Sequence, residues 1–167
     1  MVLTKAELIG SLQNEARILV HLGGKVEPAH LDYRPTPKQR STIELFRYLS
    51  MMGPVMVRAA KAGSFDANDW TESEKAAAGR NLAQTVATIG TLPDLYAQLL
   101  APWSDADFRS PIEMFGNTSS RGAFLVNTVL SGYAAYRTQI FLYLKSCGRT
   151  ELNTMNLWAG MDAPMGA

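Results

Sequence analysis

The segment GNTSSRGAFLVNTVLSGYAAYRTQIFLYLKSCG (residues 116–148) decides the fold. Within it Leu125, Val129, Gly132, Tyr136, Ile140 and Tyr143 recur at steps of four, three, four, four and three, which lines one face of an α-helix. The polar residues Thr118–Ser120 mark its start and Gly148 its stop, so the spacing predicts one long helix ending near Cys147. A helix of that length with a single apolar stripe must bury the stripe against partners of similar length.

Such partners lie upstream. Thr4 and Glu7 form a T-x-x-E capping box, in which a hydroxyl and a carboxylate each satisfy an orphan backbone N–H. Leu8, Leu12, Ala16 and Leu19 follow at helical spacing and Gly23-Gly24 ends the helix. VEPAHLDYRPTP (26–37) carries three prolines and reads as irregular. Thr36, Pro37 and Gln39 resemble a cap, a first-position proline and a capping glutamine, which predicts a second helix from about Pro37. Its apolar face holds Leu45, Leu49, Met52 and Met56, and Gly53-Pro54 predicts a kink. Thr71 with Glu74 predicts the start of a third helix through Leu82, Val86 and Ile89. Gly90 and Pro93 are expected to interrupt it before a shorter helical piece reaching about Leu100. APWSDADFRSPIEMFGN (101–117) lacks a sustained period and suits short extended pieces, and the tail from Asn156 reads as irregular. The chain is therefore expected to be all-α, an up-down four-helix bundle forming a single domain over 1–167.

Composition narrows the function. Sixteen Lys and Arg against fifteen Asp and Glu leave a net charge of +1, so there is no electrostatic footprint for nucleic acid or an anionic membrane. Near-neutrality also leaves self-association unopposed. No apolar run approaches the roughly 20 residues needed to cross a bilayer. MVLTKAELIG has no basic stretch followed by an apolar one. Cys147 is the single cysteine, which excludes a disulfide within the chain and suits a reducing, cytoplasmic setting.

No catalytic constellation stands out. Only His21 and His30 exist, so one chain has too few imidazoles for a three-histidine metal site. His21 sits where a cation favours a helix C-terminus, and Cys147 lies at a dipole end that disfavours a thiolate. There is no G-x-S-x-G and no glycine-rich phosphate loop. Asp66, Asp69, Glu72 and Glu74 surround a helix start, where carboxylates complement the dipole. What stands out is polar and aromatic chemistry on inward helix faces. Tyr48 borders the stripe of the second helix, Tyr136 lies within that of the last, and Gly132 is one turn before Tyr136. A mid-helix glycine costs about 1 kcal/mol against alanine, and a buried tyrosine hydroxyl needs a partner. Ordinary core tyrosines with a packing glycine account for this pattern, and so does a small pocket lined by all three residues.

LDYRPTPKQRSTIELFRYLS (31–50) resembles the second-helix region of the DinB/YfiT-like superfamily, and residues 116–148 resemble its last helix. Tyr136-Arg137-Thr138-Gln139 stands in register with a histidine and an R-G-Q-like triplet of that family. The resemblance implies a four-helix bundle that holds a divalent metal through three histidines, often as a homodimer. Carried across, the ligand positions are Tyr48, Gly132 and Tyr136, none of them a histidine. The expectation is a divergent member without a metal or other cofactor, acting as a small-molecule-binding or interaction module. Arg47, Arg137 and Gln139 are candidate neighbours of the pocket. The alternative is a hydrolase or thiol-dependent transferase that works through a non-standard metal site or without metal, and a tyrosine acid there would need a pKa near neutrality.

Overall fold

A computed structural model describes residues 3–163. Its elements are α1 (Lys5–Gly23), a 3-10 turn (Pro28–His30), α2 (Thr42–Ala62), α3 (Ala67–Ala78), α4 (Leu82–Leu100), α5 (Asp105–Arg109), β1 (Pro111–Met114) and β2 (Asn117–Ser120). The last long helix then runs as α6 (Arg121–Phe124), a π-helical stretch (Leu125–Leu130) and α7 (Ser131–Ser146), before a π turn at Met155–Ala159. The architecture is a helical bundle with one small hairpin. Around it the order is α1, α4, α2 and the last helix, each packed against two neighbours, with α3 outside α2.

Side-chain caps decide where most helices begin. Reciprocal capping boxes join Thr4 to Glu7, Ser41 to Glu44, Asn81 to Gln84 and Ser104 to Asp107, each worth about 0.5–2 kcal/mol. Two expected starts are displaced. The second helix begins at Thr42, not near Pro37, because Thr36 and Gln39 close a turn of their own, with Gln39 N–H donating to the Thr36 carbonyl at 3.1 Å. The third begins at Ala67, capped by Asp66, and the Thr71 hydroxyl simply donates to the Ala67 carbonyl one turn back. The single helix expected through Ile89 is two: α3 stops at Gly79, and Asn81 starts α4, which runs through Gly90 and Pro93 without a break. α2 likewise continues through Gly53-Pro54. An interior proline costs about 3 kcal/mol, and the burial of fifteen α2 residues offsets it.

The strand-like pieces form an antiparallel hairpin that pairs Pro111 with Ser120 and Met114 with Asn117. Phe115 and Gly116 close it at φ of 54° and 76°, the two positive values of a type I′ turn. The tail, expected to be irregular, is tied to α1 instead. The Asn156 amide lies 3.0 Å from His21 Nε2 and donates to Asp162 at 2.9 Å, while Lys25 pairs with Asp162 at 2.7 Å.

The centre of the bundle is polar at one point. Tyr96 of α4 and Tyr133 of the last helix are fully buried, at 0% exposure. They reach across the diagonal until their hydroxyls meet at 2.5 Å. Tyr133 donates onward to the Leu49 carbonyl of α2 at 3.1 Å, so Tyr96 must be the donor to Tyr133. Burial, before any other cause, pushes both phenol pKa values up. Gly53 makes the room, since a Cβ there would collide with both hydroxyls.

Gly53→Ala is therefore expected to destabilise the protein by about 1–3 kcal/mol or more through overpacking. Gly90→Ala, whose Cβ would meet only Val20 at 3.9 Å, should stabilise it by up to about 1 kcal/mol. Urea denaturation of the two variants checks the contrast.

Candidate functional site

The π-helical stretch determines which residues of the last helix face the centre. In π geometry each bond spans five residues, and the Ser131 hydroxyl reaches the Val126 carbonyl, five back, at 3.0 Å. A turn that takes an extra residue moves the inward face one position along. The regular spacing predicts Gly132 and Tyr136 at the centre. The buried positions are instead Tyr133 and Arg137, and Gly132 and Tyr136 lie half-buried on the flank facing α2.

On that flank Tyr48 and Tyr136 meet. Their ring centroids are 5.2 Å apart at 74°, the edge-to-face arrangement that aromatic quadrupoles favour. Trp70 of α3 also packs against Tyr48, with ring centroids 6.0 Å apart. The Arg40 guanidinium lies 4.0 Å from the Tyr48 ring centroid, a cation–π contact. The Tyr48 pKa is pushed up to about 12, first by burial and then by the neighbouring Tyr136 hydroxyl, with the Arg40 charge opposing. Gly132 faces Met52, whose terminal methyl would be 3.1 Å from an added Cβ. The space beside that glycine is filled by a thioether side chain.

The three expected neighbours separate. Gln139 donates to the Tyr143 hydroxyl, which donates to the Arg40 carbonyl at 3.1 Å. Gln139 also lines a hollow of about 470 Å³ with Tyr136, Leu45, Lys38, Gln39 and Arg40. Arg47 lines an adjoining cleft of about 440 Å³, but its guanidinium is spent on the Arg80 carbonyl at 2.8 and 2.5 Å. Arg137, expected beside the pocket, points away from Tyr136. It lies at 4% exposure, 3.0 Å from the Glu15 carboxylate of α1, too poorly aligned for a hydrogen bond through Nε. Its Nη1 donates to the Leu157 carbonyl at 2.6 Å. Burial raises the Glu15 pKa and the Arg137 charge opposes the rise. A pair this buried costs about 3–5 kcal/mol to break, so Arg137 joins α1, the last helix and the tail.

Two of the acidic candidates serve the fold. Asp66 caps α3, and Asp69 takes a two-pronged bond from Arg58 at 2.8 and 2.7 Å. Cys147 is half-buried, and burial raises its thiol pKa. Among the described residues no three His, Cys, Asp or Glu side chains come together as a metal ion would need. What sequence reasoning missed is Lys38 and Arg40, which line both hollows. The signal is the basic run Arg34–Arg40, in which Arg34 reads as irregular and Lys38 and Arg40 as the first turn of a helix.

No family model matches the chain, and no curated protein does. Solved structures do resemble it. A DinB-like protein from Bacillus subtilis, YjoA, superposes with a TM-score of 0.68 at 16% identity, over 87% of this chain and 94% of its own. A DinB-like protein from Bacillus cereus gives 0.68 at 14% identity, over 89% and 95%. The chain thus has the fold of the DinB-like proteins.

Gly132→Ala should stay within about 1 kcal/mol of the parent, because a small shift of the Met52 methyl is offset by better helix propensity. Gly132→His must displace Met52 from a packed position and should cost about 1–3 kcal/mol. Urea denaturation of both variants measures the difference.

Proposed function

We propose that this chain is a small-molecule-binding module built on the DinB-like bundle, with the family's metal position repacked as an aromatic contact. One observation carries the reading: Tyr48 and Tyr136 stack edge to face at 5.2 Å, where the family resemblance puts two imidazoles. The third position, Gly132, offers no donor and borders Met52. Two neutral phenols, a glycine and a thioether do not fit a three-histidine site for zinc or nickel, which prefer imidazole, thiolate or carboxylate ligands.

Two hollows flank the tyrosine pair and provide volume for a ligand, of the size usual for small-molecule sites. The competing reading, metal-free catalysis by a tyrosine acid, is disfavoured by a Tyr48 pKa near 12, far from the neutral range where general acids work best. We take residues 1–167 as one domain and place the protein in the cytoplasm, where its lone cysteine suits a reducing medium. Among the described residues no helix is long and apolar enough to cross a membrane. We further take it to be a homodimer, as the family resemblance implies.

Protein stripped with chelator, then dialysed against micromolar zinc, nickel or manganese, should retain no stoichiometric metal by elemental analysis, and its melting temperature should not move. One bound metal per chain, lost on Tyr136→Phe, would overturn the reading.

A further inference from the structure

The segment between the 3-10 turn and α2 carries Arg34, Lys38 and Arg40, and it forms the shared rim of the two hollows. The cleft of about 440 Å³ is lined by four cations, Arg34, Lys38, Arg40 and Arg47, against two carboxylates, Glu44 and Glu74. Only one of these cations is matched. Arg34 pairs with Glu44 at 3.2 Å. Arg47 is hydrogen-bonded to a neutral carbonyl. Among the described residues the Lys38 ammonium and the Arg40 guanidinium meet no acceptor. The chain as a whole is nearly neutral, with a net charge of +1, so this excess is local. Apart from Gln39, the lining between the charges is Tyr48, Met51, Ala77, Ala78 and Pro37, which is largely apolar.

The geometry points to this cleft as the binding site for a small organic carboxylate, with the carboxylate at Arg40 and Lys38 and the apolar body on Met51 and the α3 alanines. The inference rests on the binding-module reading above and names its ligand class. Arg40 is held in place by its stack on Tyr48, so little side-chain freedom is lost when it grips an anion. Its planar fork matches a carboxylate. An inorganic phosphate would satisfy the charge but leave the apolar lining uncovered. The N-terminus of α2, the other potential anion donor nearby, is already occupied by its own capping box between Ser41 and Glu44. The ligand charge must therefore be met by the side chains. Because Arg40 also presents its carbonyl to the Tyr143 hydroxyl at 3.1 Å, the last helix fixes the height of the rim.

The test is calorimetric titration of the full chain with benzoate and hexanoate, alongside benzamide and inorganic phosphate, at low salt. Saturable one-to-one binding is expected for at least one of the two carboxylates, at least tenfold tighter than benzamide or phosphate. Arg40→Ala and Lys38→Ala should each weaken it at least tenfold, and Arg109→Ala, outside the cleft, should leave it unchanged. Arg40 and Lys38 are exposed, and unchanged circular dichroism confirms that the variants fold. Failure of both carboxylates to bind, binding of phosphate as tight as theirs, or full affinity in Arg40→Ala would each overturn the inference. Those outcomes leave the metal-free reading standing, because that reading falls on stoichiometric metal uptake instead.

Discussion

The contact between two buried hydroxyls at the centre of the bundle constrains the rest of it. Tyr96 and Tyr133 come from diagonally opposed helices and meet at 2.5 Å against the backbone of α2. A phenol buried without a partner costs about 1–3 kcal/mol, so the two hydroxyls and the Leu49 carbonyl hold each other in place. That contact demands a glycine at position 53, where a side chain would collide. It also demands that the last helix present Tyr133, and not its neighbour, to the centre. The π-helical stretch meets the second demand by taking up an extra residue one turn earlier. The interior proline next to Gly53 is tolerated because α2 is buried on nearly every side.

The same rotation produces the candidate site. With Tyr133 turned inward, Gly132 and Tyr136 come to lie on the flank, where Tyr48 waits on α2. An aromatic edge-to-face pair and a thioether fill the region. The basic segment that leads into α2 closes over it, with Arg40 stacked on Tyr48. On the opposite side of the last helix, the rotation sends Arg137 to Glu15 and to the carbonyl of Leu157, which ties down the C-terminal tail. One local irregularity in the last helix therefore sets both a half-buried aromatic surface and a buried ion pair.

Elements specified by local chemistry were legible in the sequence. The Thr4–Glu7 capping box, the Gly23-Gly24 and Gly148 stops and the apolar stripes of α1, α2 and the last helix each state their role within a few residues, and a helical bundle follows from them, whereas the continuity of α4 through Gly90 and Pro93 does not. Features set by competition or by distance were not. Thr36 to Gln39 satisfies the pattern of a helix start, yet Ser41 and Glu44 five residues on satisfy it as well, and the turn between them decides the outcome. Thr71 and Glu74 form a pattern that Asp66 pre-empts one turn earlier. The π stretch has no periodic signature of its own, so a strict helical count puts Tyr136 and Arg137 one position out of phase. That slip hides Tyr133 and misplaces Arg137, while Tyr136 still meets Tyr48 from the flank. Lys38 and Arg40 are hidden for a different reason: they fall where the sequence reads as a helix's first turn, and only the fold shows what that segment overhangs.

The most direct test of the central contact is a double-mutant cycle of Tyr96→Phe and Tyr133→Phe followed by urea denaturation. Tyr133→Phe leaves the Tyr96 hydroxyl buried without a partner, whereas Tyr96→Phe leaves Tyr133 bonded to Leu49. The account predicts that Tyr133→Phe alone costs about 1–3 kcal/mol more than Tyr96→Phe alone, and that the double variant is no less stable than Tyr133→Phe, because removing both hydroxyls leaves no orphan. Equal and additive losses would contradict it.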